Sequence, residues 1–204
     1  MKTLHPLLNF RLLALLFSTL LITSCNDDDP IVDIEVQAIT NVSLIFTAVG
    51  GGQAVLGVAI DPDGAEGIQE LEEQLTPIML DANTEYIMTY NILNAADPND
   101  VEGIGEEILE EDNEHQFFYA FSEGLFANPM GNGNVDSASD PLNYEDMDEN
   151  GNPVGLLTSW TTGDAAMGTF TTRLQRQRDF KSDTTGASDG FTVFNLMFDL
   201  IIVE

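Results

Sequence analysis

An alternation of apolar side chains near the C-terminus constrains the fold of this chain more than any other feature. Within residues 191–203 every second position is apolar, namely Phe194, Leu196, Phe198, Leu200 and Ile202. A period of two predicts a β-strand with one buried face, because the apolar residues of an amphipathic helix recur every three or four positions. One strand cannot cover its own apolar face, so the pattern requires further strands and a second layer.

Other stretches with strand character occupy much of the chain after residue 38. They are residues 39–48, 54–60, 78–92, 115–121, 154–161 and 168–176. Turn-forming residues separate them, such as the three glycines at 50–52. The pattern predicts an all-β fold, a single Ig-like β-sandwich of Greek-key type with roughly seven to nine strands, over residues 39–204. Residues 128–152 are predicted to be a surface loop, and for residues 104–111 a short helix and an edge strand both stay open.

The first residues of the chain have the layout of a secretory signal. Lys2 and Arg11 precede an apolar run over residues 12–22, which Ser18 and Thr19 interrupt. Such a run is too short and too close to the terminus for a membrane span. The pattern predicts a signal peptide over residues 1–24.

Residues 22–25, Ile-Thr-Ser-Cys, resemble a bacterial lipobox, in which an aliphatic residue and two small ones precede the cysteine that becomes acylated. The resemblance implies cleavage before Cys25 and attachment to the lipid bilayer through the acylated Cys25. The chain has no second cysteine, so an intramolecular disulfide is excluded and acylation accounts for the thiol. More than one acyl chain on a residue gives stable membrane attachment, since each buried methylene contributes about 0.8 kcal/mol.

Residues 26–29, Asn-Asp-Asp-Asp, begin an acidic tether that we place at residues 25–38. They resemble the acidic tag of surface-displayed lipoproteins of the Bacteroidota, which implies an outer-membrane protein at the cell surface. A solvated, self-repelling tether explains the same residues and is compatible with that function.

The chain is strongly acidic, with 35 acidic and 6 basic residues and a formal net charge of −29. Nucleic acid is excluded as a partner, because phosphate binding needs clustered cations. After the predicted signal the basic residues are Arg173, Arg176, Arg178 and Lys181. They either form a docking patch for an acidic partner or pair with neighbouring carboxylates, and the second alternative is favoured.

Residues 146–151, Asp-Met-Asp-Glu-Asn-Gly, match the first half of a calcium-binding loop. Asp146, Asp148 and Asn150 supply oxygen ligands at alternate positions, and a glycine allows the sharp turn. The twelfth position is Leu157, where a bidentate acid is expected. A plain turn explains the same residues and is the favoured interpretation, so the expectation is no cofactor, with calcium as the alternative.

Two weaker candidates accompany this loop. Asp61, Asp63 and Glu66 form a second oxygen cluster, for which a solvated turn is the better explanation. His115 lies near acidic residues and could bind zinc, although its aromatic neighbours favour a hydrogen-bonded core residue.

Three stretches resemble a family of flavobacterial lipoproteins of unknown function. They are residues 114–119 (Glu-His-Gln-Phe-Phe-Tyr), residues 148–156 and the Thr-Gly pair at 162–163. Some members are automatically named "type 1 periplasmic binding fold superfamily protein". That name implies alternating strands and helices with a parallel sheet, whereas the pattern of this chain predicts a sandwich.

The sequence carries no arrangement that indicates catalysis. It contains no nucleophile elbow and no phosphate-binding loop, and only one histidine follows the predicted signal. The expectation is therefore a non-catalytic binding or accessory module, acting beside an outer-membrane uptake receptor or another envelope protein. The alternatives are a calcium-binding envelope protein and a glycan-active enzyme.

Overall fold

Two β-sheets make up the fold, in a computed structural model that describes residues 38–61, 72–73 and 76–204. The described residues belong to one unit, Val36–Glu204. The predicted signal peptide, Cys25 and residues 26–37 of the predicted tether lie outside the described residues, as do Asp63 and Glu66.

The first sheet has the order β3-β2-β1-β5-β9-β8, and β6 pairs with β5 beside this path. Its strands are β1 (Asn41–Ala48), β2 (Val55–Ile60), β3 (Glu72–Glu73), β5 (Glu85–Asp97), β6 (Asp100–Gly103), β8 (Phe126–Asn128) and β9 (Leu157–Thr162). The second sheet has the order β4-β11-β10-β7. Its strands are β4 (Ile78–Asp81), β7 (His115–Phe121), β10 (Ala166–Arg176) and β11 (Phe191–Val203).

Strand β11 lies inside the second sheet and pairs on both sides. It runs antiparallel to β10, with Phe198 opposite Phe170, and parallel to β4, with Leu200 opposite Ile78. The alternating apolar side chains of β11 are buried against the first sheet, which confirms the predicted strand over residues 191–203. The other pairs in both sheets are antiparallel.

The structure confirms the predicted all-β sandwich. Its described part holds eleven strands rather than roughly seven to nine. The excess comes from short edge segments such as β3, β6 and β8, which span two to four residues each. Segments of this length have too few positions to show a period, so the sequence pattern does not predict them.

The stretch that the sequence left open is a helix, α1 (Ile104–Glu110). Ile104 and Ile108 are both buried, and their spacing of four places them on one helical face against β5. Leu109 points the other way and is exposed.

Aromatic rings fill the centre of the sandwich around Trp160. The ring centroid of Trp160 lies 5.3 Å from that of Tyr119, 4.8 Å from Phe126 and 5.1 Å from Phe170. These rings come from both sheets, so the cluster joins the two layers. Edge-to-face and tilted pairs of this kind contribute about 0.5–1.5 kcal/mol each beyond their burial.

Two loops flank β7, the edge strand of the second sheet. The long loop (residues 129–156) precedes β9, and the backbone N–H of Asn134 donates to the Tyr119 carbonyl at 2.7 Å. The β10–β11 loop (residues 177–190) begins with Gln177, whose N–H donates to the Glu114 carbonyl at 2.6 Å. The long loop thereby covers the free edge of β7 and protects it from pairing with another chain, whereas the Gln177 bond extends the β10–β7 pairing by one residue.

Candidate functional site

The predicted calcium-loop residues lie in a tight turn of the long loop, just before β9. Asp146 is half-buried, and its two carboxylate oxygens accept hydrogen bonds from the backbone N–H groups of Gly155 at 2.8 Å and Leu157 at 3.1 Å. Burial raises the pKa of Asp146 above its ordinary value, and these backbone donors offset part of that rise. The carboxylate therefore serves as a local anchor for the start of β9.

Asp148 is more deeply buried and is bonded from two sides. Its Oδ1 accepts from the backbone N–H groups of Asn150 at 2.9 Å and Asn152 at 2.8 Å. Its Oδ2 accepts from Asn152 Nδ2 at 3.2 Å and lies 3.2 Å from Lys181 Nζ. Burial raises the pKa of Asp148, but the bonds from Asn152 and Lys181 outweigh burial and hold the pKa below its ordinary value.

These contacts favour the turn interpretation over calcium. Both carboxylates are engaged by donors of the protein, and Asn150 is exposed, with its backbone N–H directed to Asp148. Leu157 is the first residue of β9, so the twelfth position of the loop offers no side-chain ligand. Across the residues that the structure describes, no group of three or more His, Cys, Asp or Glu side chains is placed to hold a metal ion. Calcium binding stays a prediction that calorimetry or thermal unfolding can test.

Lys181 joins the β10–β11 loop to this turn. Its side chain is 1% exposed and that of Asp148 is 0% exposed, so the pair is cut off from solvent. Lys181 Nζ also donates to the backbone carbonyl of Asp112 at 2.6 Å. Burial lowers the pKa of Lys181, and the neighbouring Asp148 carboxylate partly restores it.

The three arginines of the predicted docking patch also have partners within the chain. Arg176 lies 3.1 Å from Glu114 and 3.2 Å from Glu111, and Arg178 lies 3.6 Å from Glu114. Arg173 donates to the Thr192 hydroxyl at 2.9 Å. The geometry therefore supports internal compensation rather than a patch of free cations.

His115 begins β7 beside these pairs. Its Nδ1 lies 3.1 Å from the Glu111 carbonyl oxygen and 4.0 Å from the Glu111 carboxylate. Burial holds the pKa of His115 below its ordinary value. These contacts support the hydrogen-bonded core residue that the aromatic surroundings predicted.

Sequence reasoning missed a buried network of tyrosines between the sheets. The Tyr119 hydroxyl donates to the Gly155 carbonyl at 2.5 Å and receives a bond of 3.2 Å from the Tyr90 hydroxyl. Tyr90 also shares a bond of 2.5 Å with the Thr172 hydroxyl. Burial raises the pKa of both tyrosines, so the hydroxyls stay protonated and act as donors.

The same network fixes the long loop onto β7. The Tyr144 hydroxyl donates to the Phe117 carbonyl at 2.6 Å and accepts from Asn134 Nδ2 at 2.8 Å. Asn134 Oδ1 accepts the Tyr119 backbone N–H at 2.9 Å. Burial raises the pKa of Tyr144 to about 12. In the sequence Asn134 is one polar residue of a polar loop, and no periodicity indicates which residue of such a loop is buried.

An apolar row crosses the outer face of the second sheet. The strand register places Met167 opposite Ile201 and Ile201 opposite Met79, and both methionines are exposed. A shallow groove of about 390 Å³ lies on the first sheet, lined by Leu56, Val58, Ile60 and Thr76. Exposed apolar side chains are common on folded proteins, so neither surface defines a ligand.

Comparisons with protein-family models, with curated proteins and with solved structures find no match. No helix among the described residues is long and apolar enough to cross a membrane.

Proposed function

We propose that the chain is a lipid-anchored outer-membrane protein, exposed at the cell surface, whose β-sandwich is a non-catalytic binding or accessory module. The observation that carries this proposal is the Ile-Thr-Ser-Cys run at residues 22–25, placed directly after an apolar segment. Because Cys25 has no second cysteine to pair with, acylation gives the thiol a function. The acidic residues 26–29 support transport to the outer face.

The contacts of the polar side chains support a non-catalytic function. A general base needs a free lone pair directed at a substrate, and a nucleophile needs an adjacent base. Asp146 and Asp148 instead accept backbone hydrogen bonds, and His115 is buried. These groups stabilise loops.

The charge distribution supports a protein partner of the envelope, such as an uptake receptor. The basic residues of the described chain contact its own acidic or polar groups, so the unpaired surface charge is negative. A strongly acidic surface repels nucleic acid and anionic headgroups, and it attracts partners with basic surfaces.

Cell fractionation tests the anchor and surface display together. In a Bacteroidota host, we expect the full chain in the outer-membrane fraction and accessible to protease added to intact cells. Cys25→Ser should move the protein to the soluble fraction. Substituting Asp27, Asp28 and Asp29 by alanine should leave it in the membrane but protect it from the protease. Membrane attachment of Cys25→Ser equal to that of the wild type would refute the anchor.

Crosslinking in intact cells tests the binding function. The anchored chain should capture a defined envelope protein, identified by mass spectrometry, that the same chain without its anchor captures weakly. Recovery of the same proteins by an unrelated acidic lipoprotein would refute a specific partner.

A further inference from the structure

The ion pair between Lys181 and Asp148 is unusual because both charged side chains are buried. The two side chains come from different loops and are 1% and 0% exposed, with Nζ 3.2 Å from Oδ2. Lysine is almost never fully buried, since its charge loses hydration that a single partner restores poorly. An ion pair of this kind contributes little to stability compared with apolar side chains of the same size.

The surroundings of Asp148 are those of an acyl acceptor. Oδ1 receives two backbone N–H groups, from Asn150 at 2.9 Å and from Asn152 at 2.8 Å. Paired backbone donors on one oxygen stabilise the negative charge that develops there when a nucleophile adds to the carbon. Oδ2, on the side of the amine, is contacted by Asn152 Nδ2 at 3.2 Å.

The amine is held in place for such an addition. Lys181 Nζ donates to the Asp112 carbonyl at 2.6 Å, which fixes its position beside Asp148. Positioning two reacting groups in contact replaces a bimolecular encounter by a unimolecular step and thereby removes a large part of the entropic barrier to reaction. Burial excludes the water that would otherwise reverse the reaction. Asp148 is the acceptor because its Oδ2 is in contact with Nζ, whereas the two oxygens of Asp146 accept the backbone N–H groups of Gly155 and Leu157.

We propose that Lys181 and Asp148 react with each other to form an intramolecular isopeptide bond. The ion pair holds the same atoms and protons as a neutral amine beside a neutral acid, so transfer of one proton from Nζ to Oδ2 generates the reacting forms. Nζ then adds to Cγ, and the charge on Oδ1 is held by the two backbone N–H groups. A second proton passes from the nitrogen to Oδ2, which leaves as water. One C–N bond forms, one C–O bond breaks, and no oxidant or co-reactant is needed.

The bond would tie the long loop to the β10–β11 loop on either side of β7. Such a crosslink restricts the unfolded chain and so stabilises the fold in the manner of a disulfide, in a protein that has one cysteine. This inference is independent of where the chain is anchored.

Peptide mass spectrometry of the full chain tests the proposal. The denatured protein is digested with a glutamate-specific and an arginine/lysine-specific protease. An isopeptide bond blocks cleavage after Lys181, so we expect residues 146–149 joined to residues 179–204, with a mass one water below the sum of the linear peptides 146–149 and 179–204. Linear peptides 146–149 and 179–181 would overturn the proposal.

A matched variant excludes other causes of water loss. Lys181→Arg keeps the positive charge but cannot form this amide, so it should yield the linear peptide 146–149 at its full mass. A succinimide at Asp148 also loses one water, but it leaves the two peptides separate. Loss of water without a branched peptide therefore counts against the bond.

Discussion

His115 makes the stability of the fold depend on pH. Its side chain is buried, with the residue 7% exposed, and burial lowers its pKa from 6.5. Arg176 lowers the pKa further, whereas the carbonyl and carboxylate of Glu111 and the carboxylate of Glu114 raise it. Between the pKa of His115 in the folded state and about 6.5, its value in the unfolded chain, the unfolded chain binds more protons than the folded one. The free energy of unfolding therefore rises with pH across this window and decreases as pH falls through it. We expect urea unfolding to give a free energy of unfolding that increases from about pH 5 to about pH 7.

The variant His115→Gln distinguishes the contribution of His115 to the pH dependence of stability from that of the carboxylates. His115→Gln keeps a polar side chain without a titrating ring, so its stability should change less with pH over the same range. Equal slopes for the wild type and His115→Gln would assign the pH dependence to other groups.

The response of thermal unfolding to cations distinguishes a plain turn at Asp148 and Asn150 from a calcium site. Because protein donors already engage the Asp148 carboxylate, we expect calcium and magnesium to raise the midpoint of thermal unfolding equally. A shared rise comes from screening the net charge of −29. Measurements start in EDTA and continue at millimolar cation. A rise for calcium alone, abolished by Asn150→Ala on the exposed side of the turn, would establish a selective site.

Helix α1 offers a matched pair of neighbouring residues on opposite faces. Ile108 is 3% exposed and packs in the core, whereas Leu109 is 57% exposed. Ile108→Ala should lower the free energy of unfolding by about 2–5 kcal/mol, since it removes buried methyl groups and leaves a cavity. Leu109→Ala should stay within about 0.5 kcal/mol of the wild type. Urea unfolding of both variants checks this, and equal losses would contradict the burial of one face.

The contact between the long loop and β7 offers a second matched pair. Gly131 and Gly133 both have positive φ, at 105° and 93°, so alanine is strained at either position. A Cβ on Gly131 meets open space, whereas a Cβ on Gly133 would overlap the carbonyl of Tyr119. Gly133→Ala should therefore be less stable than Gly131→Ala by about 2 kcal/mol or more, because the loop must leave the strand. Equal stabilities in thermal unfolding would show that the loop does not need this contact.

The elements that could be predicted from the sequence are those in which apolar side chains recur with a regular period. The alternation from Phe194 to Ile202 specified β11, and residues 115–121 indicated β7, which the structure shows to be buried on both faces. Residues 104–111 were ambiguous, because two isoleucines four apart fit a helix and equally fit positions on one face of a strand. Short strands such as β3 depend on the neighbouring strand for their conformation and carry no pattern of their own.

The contacts of the candidate site depend on the whole molecule. The sequence favoured internal pairing of the basic residues, and the structure supplies partners such as Asp148 for Lys181. That pair joins two loops far apart in sequence, and loops have no period from which a contact could be derived. The same holds for Asn134, whose burial follows from the packing of the long loop on β7.

The mass of the N-terminal fragment of the protein, purified from host membranes, tests the proposed anchored function most directly. Proteolysis and mass spectrometry should give a first peptide that starts at Cys25, lacks residues 1–24 and carries the added mass of more than one acyl chain. The Cys25→Ser variant should give no acylated fragment. A wild-type fragment that retains residues 1–24, or that starts at Cys25 with a free thiol and amine, would contradict the lipid anchor and the location that depends on it.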